Sequence, residues 1–193
     1  EREDSRDILI SKKHRTLSDF TNKSSLGTSS VRRICNIKYE YPNIKISDMR
    51  GNIDTRINKV LDGDIDGIIL AAAGVKRLGL EKYITSYMDR KIWIPAIGQG
   101  AIGIESRKNN KIINNLVSKL NHEHTKICVD TEREVSKFFE ASCSTPIAAN
   151  AVIDKDKIIL SSMIGAIDGS EKIYCEESGP IGSSKKIGFN VSS

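Results

Sequence analysis

This sequence of 193 residues has few aromatic residues, no closely spaced cysteines and no long apolar run. Its longest stretch of apolar residues and glycine, Gly67 to Val75, is far too short to span a bilayer. The four cysteines form no CxxC pair, and the three histidines offer no helical pair of zinc ligands. Aromatic residues make up 5%, which is few for a surface that stacks nucleic-acid bases. These absences argue against a membrane span, a zinc site and nucleic-acid binding.

The composition is that of a globular chain, with 38% hydrophobic and 28% charged residues. A chain of this length can bury a real core as one large domain or as two small ones. The net charge of +5 is compatible with an anionic ligand, although it does not identify one. Because nothing else marks a secreted protein, the cysteines are expected to be free thiols in a reducing compartment.

Strands and helices alternate in the first half of the chain. A helix is predicted from a cap at Ser29 or Ser30 to about Tyr39, and the alternating IKIS at 44–47 predicts a strand. The segment NIDTRINKVLDG places its apolar residues on one helical face, and DGIILAAAG is typical of a buried strand. A further helix is expected to start at VKRLGLEKYI. This order predicts a parallel sheet covered by helices.

The second half contains two predicted helices, at about 110–120 and 122–140, and then a change of pattern. Before them, the alternation that follows the glycines at 98–103 predicts a strand through 101–105. Beyond Pro146, alternating stretches are separated by the turn sequences DKDK and DGS, which predicts an antiparallel sheet packed on helices. The expected fold class is therefore α/β, with a parallel-rich sheet flanked by helices and a small α+β C-terminal domain with an antiparallel sheet.

Two short motifs look like ligand sites but lack the context that each requires. GQGAIG at 98–103 matches the dinucleotide pattern GxGxxG, but that pattern must follow a strand and open a helix. The residues after it alternate like a strand instead. DGDIDG at 62–67 begins like a calcium loop, yet its twelfth position is Ala73, where a glutamate is required. We therefore expect neither a dinucleotide nor a calcium ion at these segments.

Arginine gathers where the predicted strands end. GTSSVRR, from Gly27 to Arg33, puts three hydroxyl groups and two arginines at a helix start, where free N–H groups also favour anions. Loops that follow parallel strands open on one edge of the sheet, and arginine provides a planar fork for carboxylate or phosphate. The arginines in such places are Arg32, Arg33, Arg50, Arg56 and Arg77. They predict a site for a polyanionic small ligand, the alternative being ordinary solvated surface charges.

Cys143 follows the second long predicted helix and precedes STPIAAN. Two interpretations stay open from the residues alone. One is a small buried residue at a domain joint, and the other is a thiol that acts as a nucleophile or as a covalent tether. No histidine is placed for an obvious Cys–His pair, which argues against a cysteine hydrolase.

Five motifs stand in the order and spacing of one enzyme family: GTSSVRR, DMRGNIDTRINKV, IILAAAGVKRLGL, PAIGQGAIGIE and EASCSTPIAA. Over nearly its whole length the chain resembles the porphobilinogen deaminase family, also called hydroxymethylbilane synthase. The resemblance implies a periplasmic-binding-protein-like domain and a small C-terminal domain that bears a cofactor. The expected divisions are an interdomain link at 1–24, the binding-protein-like domain at 25–95, a hinge and a segment returning to the first domain at 96–120, and the C-terminal domain at 121–193, truncated at its end.

The resemblance also implies roles for particular residues. Cys143 would carry a dipyrromethane cofactor through a thioether, although Ala141 and Ser142 stand where the family usually has two glycines. The residues expected to bind cofactor and substrate are Thr28, Ser29, Ser30, Arg32, Arg33, Arg50, Gly51, Arg56, Arg77 and Gln99. No catalytic residue and no metal ligand is assigned in this chain, because the family's catalytic aspartate is expected before Glu1.

The family condenses four porphobilinogen molecules into the linear tetrapyrrole hydroxymethylbilane on the dipyrromethane primer, losing ammonia at each coupling. The resemblance implies a small-molecule substrate, no nucleic acid, no membrane and a monomer when the protein is complete. It implies a soluble intracellular location, cytoplasmic or in a plastid if a transit segment is removed. Asp4 and Asp7 match the interdomain link, so neither is expected to be the catalytic aspartate. This chain alone is therefore expected to be inactive. The alternative is a non-catalytic anion-binding module of the periplasmic-binding-protein class.

Overall fold

The computed structural model describes residues 1–142 and 144–192, which form two sheets and their helices. The strands of the first sheet are β1 (Asp7–Ser11), β2 (Ser25–Gly27), β3 (Lys45–Ser47), β4 (Gly67–Ala71) and β5 (Ser86–Tyr87). Their spatial order is β3-β2-β4-β1-β5. β2 pairs in parallel with β3 and β4, whereas β1 is antiparallel to β4 and β5. The predicted parallel-rich sheet is therefore confirmed, and β1 and β5 make it a mixed one.

A helix follows each parallel strand: α1 (Val31–Glu40) after β2, α2 (Ile53–Leu61) after β3 and α3 (Ala72–Arg77) after β4. The helix predicted to start at VKRLGLEKYI begins earlier, at Ala72, because alanine favours the helix directly after β4. It also ends early, since Gly79 adopts a φ of +67° two residues beyond the last helical position.

Apolar side chains cover both faces of the first sheet. On β1 they alternate, with Ile8 and Ile10 in one buried cluster and Leu9 in the other. The predicted apolar face of α2 packs into the first cluster through Ile57 and Val60, which confirms that face. A sheet buried on both sides gives the loops at its edge a rigid support.

Residues 7–11 form β1, which lies between β4 and β5, although no strand was predicted within the segment 1–24. Its first four residues are buried. A strand that is buried on both faces shows a short continuous apolar run instead of an alternation with polar residues. The run Ile8–Ile10 stands among charged residues, which concealed the strand. The domain divisions stay predictions.

The strand predicted through 101–105 is absent. Residues 101–107 have no regular structure, and helix α4 covers Lys111–Ser118. Exposed apolar side chains line this stretch: Ile102, Ile104, Ile112, Ile113, Leu116 and Leu120. A strand needs a neighbour to satisfy its backbone, and no strand among the described residues pairs with 101–105.

The C-terminal part contains α5 (Glu123–Phe138), β6 (Ile147–Asp154), β7 (Lys157–Gly165), β8 (Lys172–Pro180) and α6 (Ser184–Asn190). The three strands form an antiparallel sheet in the order β6-β7-β8, as predicted. Both predicted turns are present, with Lys155 at φ +55° and Gly169 at φ +75°. α5 and α6 pack with this sheet around a third apolar cluster that includes Val135, Leu160 and Ile187.

Candidate anion-binding site

The carboxyl ends of the parallel strands place their following segments along one edge of the first sheet. β2 leads into Thr28–Ser30, β3 into the loop 48–52, and β4 directly into α3. Asp7, at the start of the antiparallel β1, pairs with Ala71 and so reaches the same edge. The common edge predicted for the arginine-bearing segments is present, and it includes a carboxylate that the sequence did not suggest.

The hydroxyl residues after β2 join that loop to the next one. Thr28 is buried, and its amide donates to the carbonyl of Ser47 over 3.0 Å. Ser29 Oγ donates to the carbonyl of Met49 and accepts from the Met49 amide, at 2.5 and 2.9 Å. Ser30 occupies the N-cap position of α1, but its side chain makes no capping bond. The contacts of Thr28 and Ser29 therefore fix the position at which α1 starts.

Arg32 and Arg33 turn inward from the first turn of α1 and meet Asp7. Arg33 Nη2 donates to Asp7 Oδ1 over 2.8 Å, and Arg32 Nη2 lies 2.8 Å from Asp7 Oδ2. Each guanidinium also donates to a backbone carbonyl over 2.9 Å, Arg32 to Ile94 and Arg33 to Ile69. The two arginine side chains are 5% and 11% exposed. The pair is thus built into the fold, whereas the sequence predicted both arginines on an open rim.

Gln99 lies in a turn, so the crossing strand predicted around it is wrong. Gly98 and Gly100 adopt φ values of +71° and +86°, which favour glycine and reverse the chain. The side-chain amide of Gln99 donates to Asp7 Oδ1 over 2.9 Å and to the carbonyl of Ser5 over 2.6 Å. Gln99 is therefore a third donor to the buried carboxylate. We call Asp7, Arg32, Arg33 and Gln99 the Asp7 cluster.

Charge balance keeps Asp7 ionised. Burial raises the pKa of Asp7, but the guanidinium groups of Arg33 and Arg32, with hydrogen bonds from Arg33 and Gln99, outweigh it and hold that pKa at about 2. Burial lowers the pKa of Arg32, and the charge of Asp7 partly offsets this. An arginine stays charged in proteins, so two guanidinium groups and one carboxylate leave one net positive charge. The buried Nε of Arg33 finds no acceptor among the described residues, so the cluster keeps an unused donor.

The other three arginines have separate surroundings. The Arg50 side chain is 93% exposed and lies 3.4 Å from Asp48. Arg56 Nε donates to the carbonyl of Gly51 over 2.8 Å, and Gly51 has a φ of +105° that favours glycine. Arg77 is exposed and ends α3, not near the helix start as predicted. None of the described hydrogen bonds joins these arginines to the buried pair, and Arg50 and Arg77 are exposed to solvent.

A second buried carboxylate, Glu132 of α5, ties the turn at 98–100 to the C-terminal part. Arg2 donates to its two oxygens over 2.5 and 3.2 Å. The backbone amides of Gly98 and Ala151 also donate to it, over 2.7 and 2.8 Å. Arg2 Nε donates in addition to the carbonyl of Gln99 over 2.8 Å. The turn that carries Gln99 is thus held by α5 and β6, which links them to the Asp7 cluster.

The amino-acid sequence matches two family models. "Porphobilinogen deaminase, dipyromethane cofactor binding domain" matches residues 1–115, and "Porphobilinogen deaminase, C-terminal domain" matches residues 126–193. The chain belongs to the porphobilinogen deaminase family. Curated porphobilinogen deaminases of Coxiella burnetii strains CbuG_Q212 and RSA 493 are each 46% identical to it over 192 residues. The match covers 100% of this chain, which spans only 62% of the length of these relatives.

A solved lipoprotein of the YaeC family from Enterococcus faecalis is also similar to the chain. The TM-score is 0.41 at 14% identity, and the similarity covers 68% of this chain and 62% of the lipoprotein.

Asp7 and Glu132 are residues that the porphobilinogen deaminase motifs did not reveal. Asp7 stands directly before the apolar run at 8–10, and a charged residue at the start of a buried strand is a feature that could have marked it. Glu132 lies four residues after Cys128 and three before Val135, both of which are buried. A carboxylate on the apolar stripe of a helix needs a buried partner, and that rule could have marked Glu132.

Cys143, the predicted cofactor attachment residue of the family, lies outside the described residues. Next to it, Ser142 and Ser144 are exposed, and their hydroxyl oxygens lie 2.7 Å apart. The other cysteines are free thiols: Cys35, Cys128 and Cys175. Burial raises the pKa of Cys35 and that of Cys128, which makes both poor nucleophiles near neutral pH.

Two kinds of feature are absent from residues 1–142 and 144–192. No helix there has the length and apolar character needed to cross a membrane. No group of three or more histidine, cysteine, aspartate or glutamate side chains is placed there to hold a metal ion.

Proposed function

We propose that this chain is the part of a porphobilinogen deaminase that holds the dipyrromethane cofactor and the growing pyrrole chain. The complete protein condenses four porphobilinogen molecules into hydroxymethylbilane and releases ammonia at each coupling. One observation carries the proposal. The family model of the dipyrromethane-binding domain matches residues 1–115. The same residues place the arginine-bearing segments along one edge of a sheet.

The donors at this edge suit a ligand with many carboxylates. Each porphobilinogen brings an acetate and a propionate, so the negative charge grows with the chain. Arg50 offers an exposed planar fork, and charge-assisted hydrogen bonds to carboxylates are the strong ones. The start of α1 adds free amide groups and a positive potential. These features support assigning the edge to the pyrrole side chains.

When bound, the dipyrromethane supplies a covalent primer, and we propose Cys143 as the residue that holds it. The support is its place in the motif EASCSTP and the exposure of its neighbours Ser142 and Ser144. Two of the remaining thiols are buried and weakly nucleophilic, which leaves the partly exposed Cys175 as the competitor among the described cysteines.

Neither aspartate near the start of the chain suits proton transfer to the leaving ammonia. Asp7 has a pKa of about 2, far below the range useful to a general acid near neutral pH. Asp4 lies 2.6 Å from Arg6, and the hydrogen bond from Arg6 lowers the pKa of Asp4. We therefore propose, as the family resemblance implies, that the catalytic aspartate belongs to a segment before Glu1.

Ammonia release separates this function from the non-catalytic alternative. The full-length protein, incubated with porphobilinogen, should release one ammonia per porphobilinogen consumed and yield a linear tetrapyrrole detectable by mass spectrometry. A folded protein that binds porphobilinogen and releases no ammonia would be an anion-binding module, and the proposed function would be wrong.

Arg50→Lys tests the exposed part of the site. In the full-length protein we expect a KM for porphobilinogen raised about tenfold, because the planar fork is lost although the charge remains. Stability should not change, since the Arg50 side chain is 93% exposed. Arg133→Lys is the matched control, because that exposed arginine of α5 contacts only Asp130 among the described ion pairs. Equal KM values for the two variants would remove Arg50 from the site.

The family resemblance also supports proposals on assembly and location. We propose that the complete protein works as a monomer, without nucleic acid or membrane, in the cytoplasm or in a plastid. Light scattering on the full-length protein measures its molar mass, and a dimer at working concentration would contradict the proposed monomer.

A further inference from the structure

Asp7 is a carboxylate for which the proposed reaction has no use, yet it lies at the centre of the arginine-bearing edge. It is fully buried at the start of β1, opposite Ala71 at the end of β4. The side chains of Arg32, Arg33 and Gln99 converge on it. We propose that Asp7 is a positioning residue that sets the direction of the two buried guanidinium groups at the edge assigned to the pyrrole chain. This inference rests on the proposed function.

Two adjacent guanidinium groups need a counter-charge when they are buried. Like charges repel strongly where water is excluded, and an unpaired buried charge is costly. Asp7 divides its oxygens between them, with Oδ1 at 2.8 Å from Arg33 and Oδ2 at 2.8 Å from Arg32. The carbonyls of Ile69 and Ile94 hold the other end of each fork. Arg33 is thus held by hydrogen bonds at two points, whereas Arg32 is held by one hydrogen bond, to Ile94, and by its charge contact with Asp7 Oδ2, which accepts no hydrogen bond among the described residues.

Gln99 in turn fixes the carboxylate. Its side-chain NH₂ group donates to Asp7 Oδ1 and to the carbonyl of Ser5, and the backbone carbonyl of Gln99 accepts from Arg2 Nε. An oxygen that accepts from both Arg33 and Gln99 restrains rotation of the carboxylate. The directions of the guanidinium groups therefore depend on the turn at 98–100 as well as on α1.

Asp7→Asn distinguishes positioning from simple attraction by charge. The change keeps the shape of the side chain but raises the net charge of the cluster from one positive charge to two. If net charge alone attracted carboxylates to this edge, the KM for porphobilinogen would fall. A positioned pair would instead lose its geometry, because an amide oxygen binds guanidinium more weakly and the amide NH₂ group repels it. We expect the KM to rise about tenfold or more.

Asp66→Asn is the matched control in the full-length protein. The pKa of Asp66 is also held at about 2, by hydrogen bonds from Lys13 and Ser25, but Asp66 lies at the opposite end of the strands, directly before β4. Both variants should lose stability. A smaller folded fraction lowers the apparent kcat at an unchanged KM, so only Asp7→Asn should raise the KM.

Gln99→Met provides a second variant if Asp7→Asn does not fold. Gln99 is only partly buried, and methionine is of similar size, so the protein should fold while the carboxylate loses one donor. We expect a KM raised several-fold. An unchanged or lowered KM in Asp7→Asn overturns the positioning role, as does an unchanged KM in Gln99→Met where Asp7→Asn is unfolded. Absence of turnover in the folded wild-type protein would contradict the proposed function instead.

Discussion

The isolated 193-residue chain is expected to release no ammonia from porphobilinogen, whereas adding the upstream part of the polypeptide should restore release. The chain spans only 62% of the length of its curated relatives. Its stretch 101–120 exposes apolar side chains, with Ile112 at 76% exposure and Ile102 at 73%. Exposed apolar patches of this kind mark surfaces that bind another part of a protein. We propose that this part also brings the catalytic aspartate.

Ammonia release is measured in three samples: the chain alone, the upstream polypeptide alone and the two together. A chain carrying Ile102→Ser and Ile112→Ser is the control, because it should bind the upstream polypeptide more weakly and recover less activity. Turnover by the chain alone at nearly the full-length rate would contradict the assignment of the missing aspartate. An inactive mixture of two folded parts would contradict the role given to the exposed stretch.

Glu132→Ala is expected to lower the free energy of unfolding of the full-length protein by about 3–5 kcal/mol, the usual cost of removing one partner from a buried ion pair. Glu132 is fully buried, and its loss leaves Arg2 and the amides of Gly98 and Ala151 without their acceptor. The turn at 98–100 should loosen with it, so the KM for porphobilinogen should rise as well.

Glu134→Ala is the matched control for this change, since Glu134 lies on the same helix and pairs with Lys137 near the surface. A surface pair contributes about 0–1 kcal/mol, so urea unfolding should separate the two variants clearly. If Glu132→Ala unfolds within about 1 kcal/mol of the wild-type protein, Glu132 does not hold the two parts together.

The elements that could be predicted are those whose pattern is local. The apolar face of α2 follows from helical spacing, and Ile57 and Val60 are buried as that spacing requires. The hairpin between β6 and β7 follows from its turn residues, which include Lys155 at φ +55°. The parallel course of β3 and β4 follows from the alternation of strands and helices, although β2, which pairs with both, was not predicted as a strand.

The features that could not be predicted depend on residues far apart in the chain. β1 is a strand because β4 and β5 lie on either side of it, while 101–105 is not a strand because it has no neighbour. Arg32 and Arg33 stand at a helix start, but their direction is decided by Asp7, which precedes them by more than twenty residues. Sequence reasoning therefore found the residue types of the site and missed the carboxylate that orients them.

Intact mass spectrometry of the full-length protein tests the central claim most directly. We predict that the wild-type protein is heavier than its polypeptide by one dipyrromethane, and that Cys143→Ser has the mass of the polypeptide alone. Cys175→Ser removes the partly exposed thiol among the described cysteines and should keep the added mass. A wild-type protein at the bare polypeptide mass, or a Cys143→Ser protein that still carries the dipyrromethane, would contradict the claim.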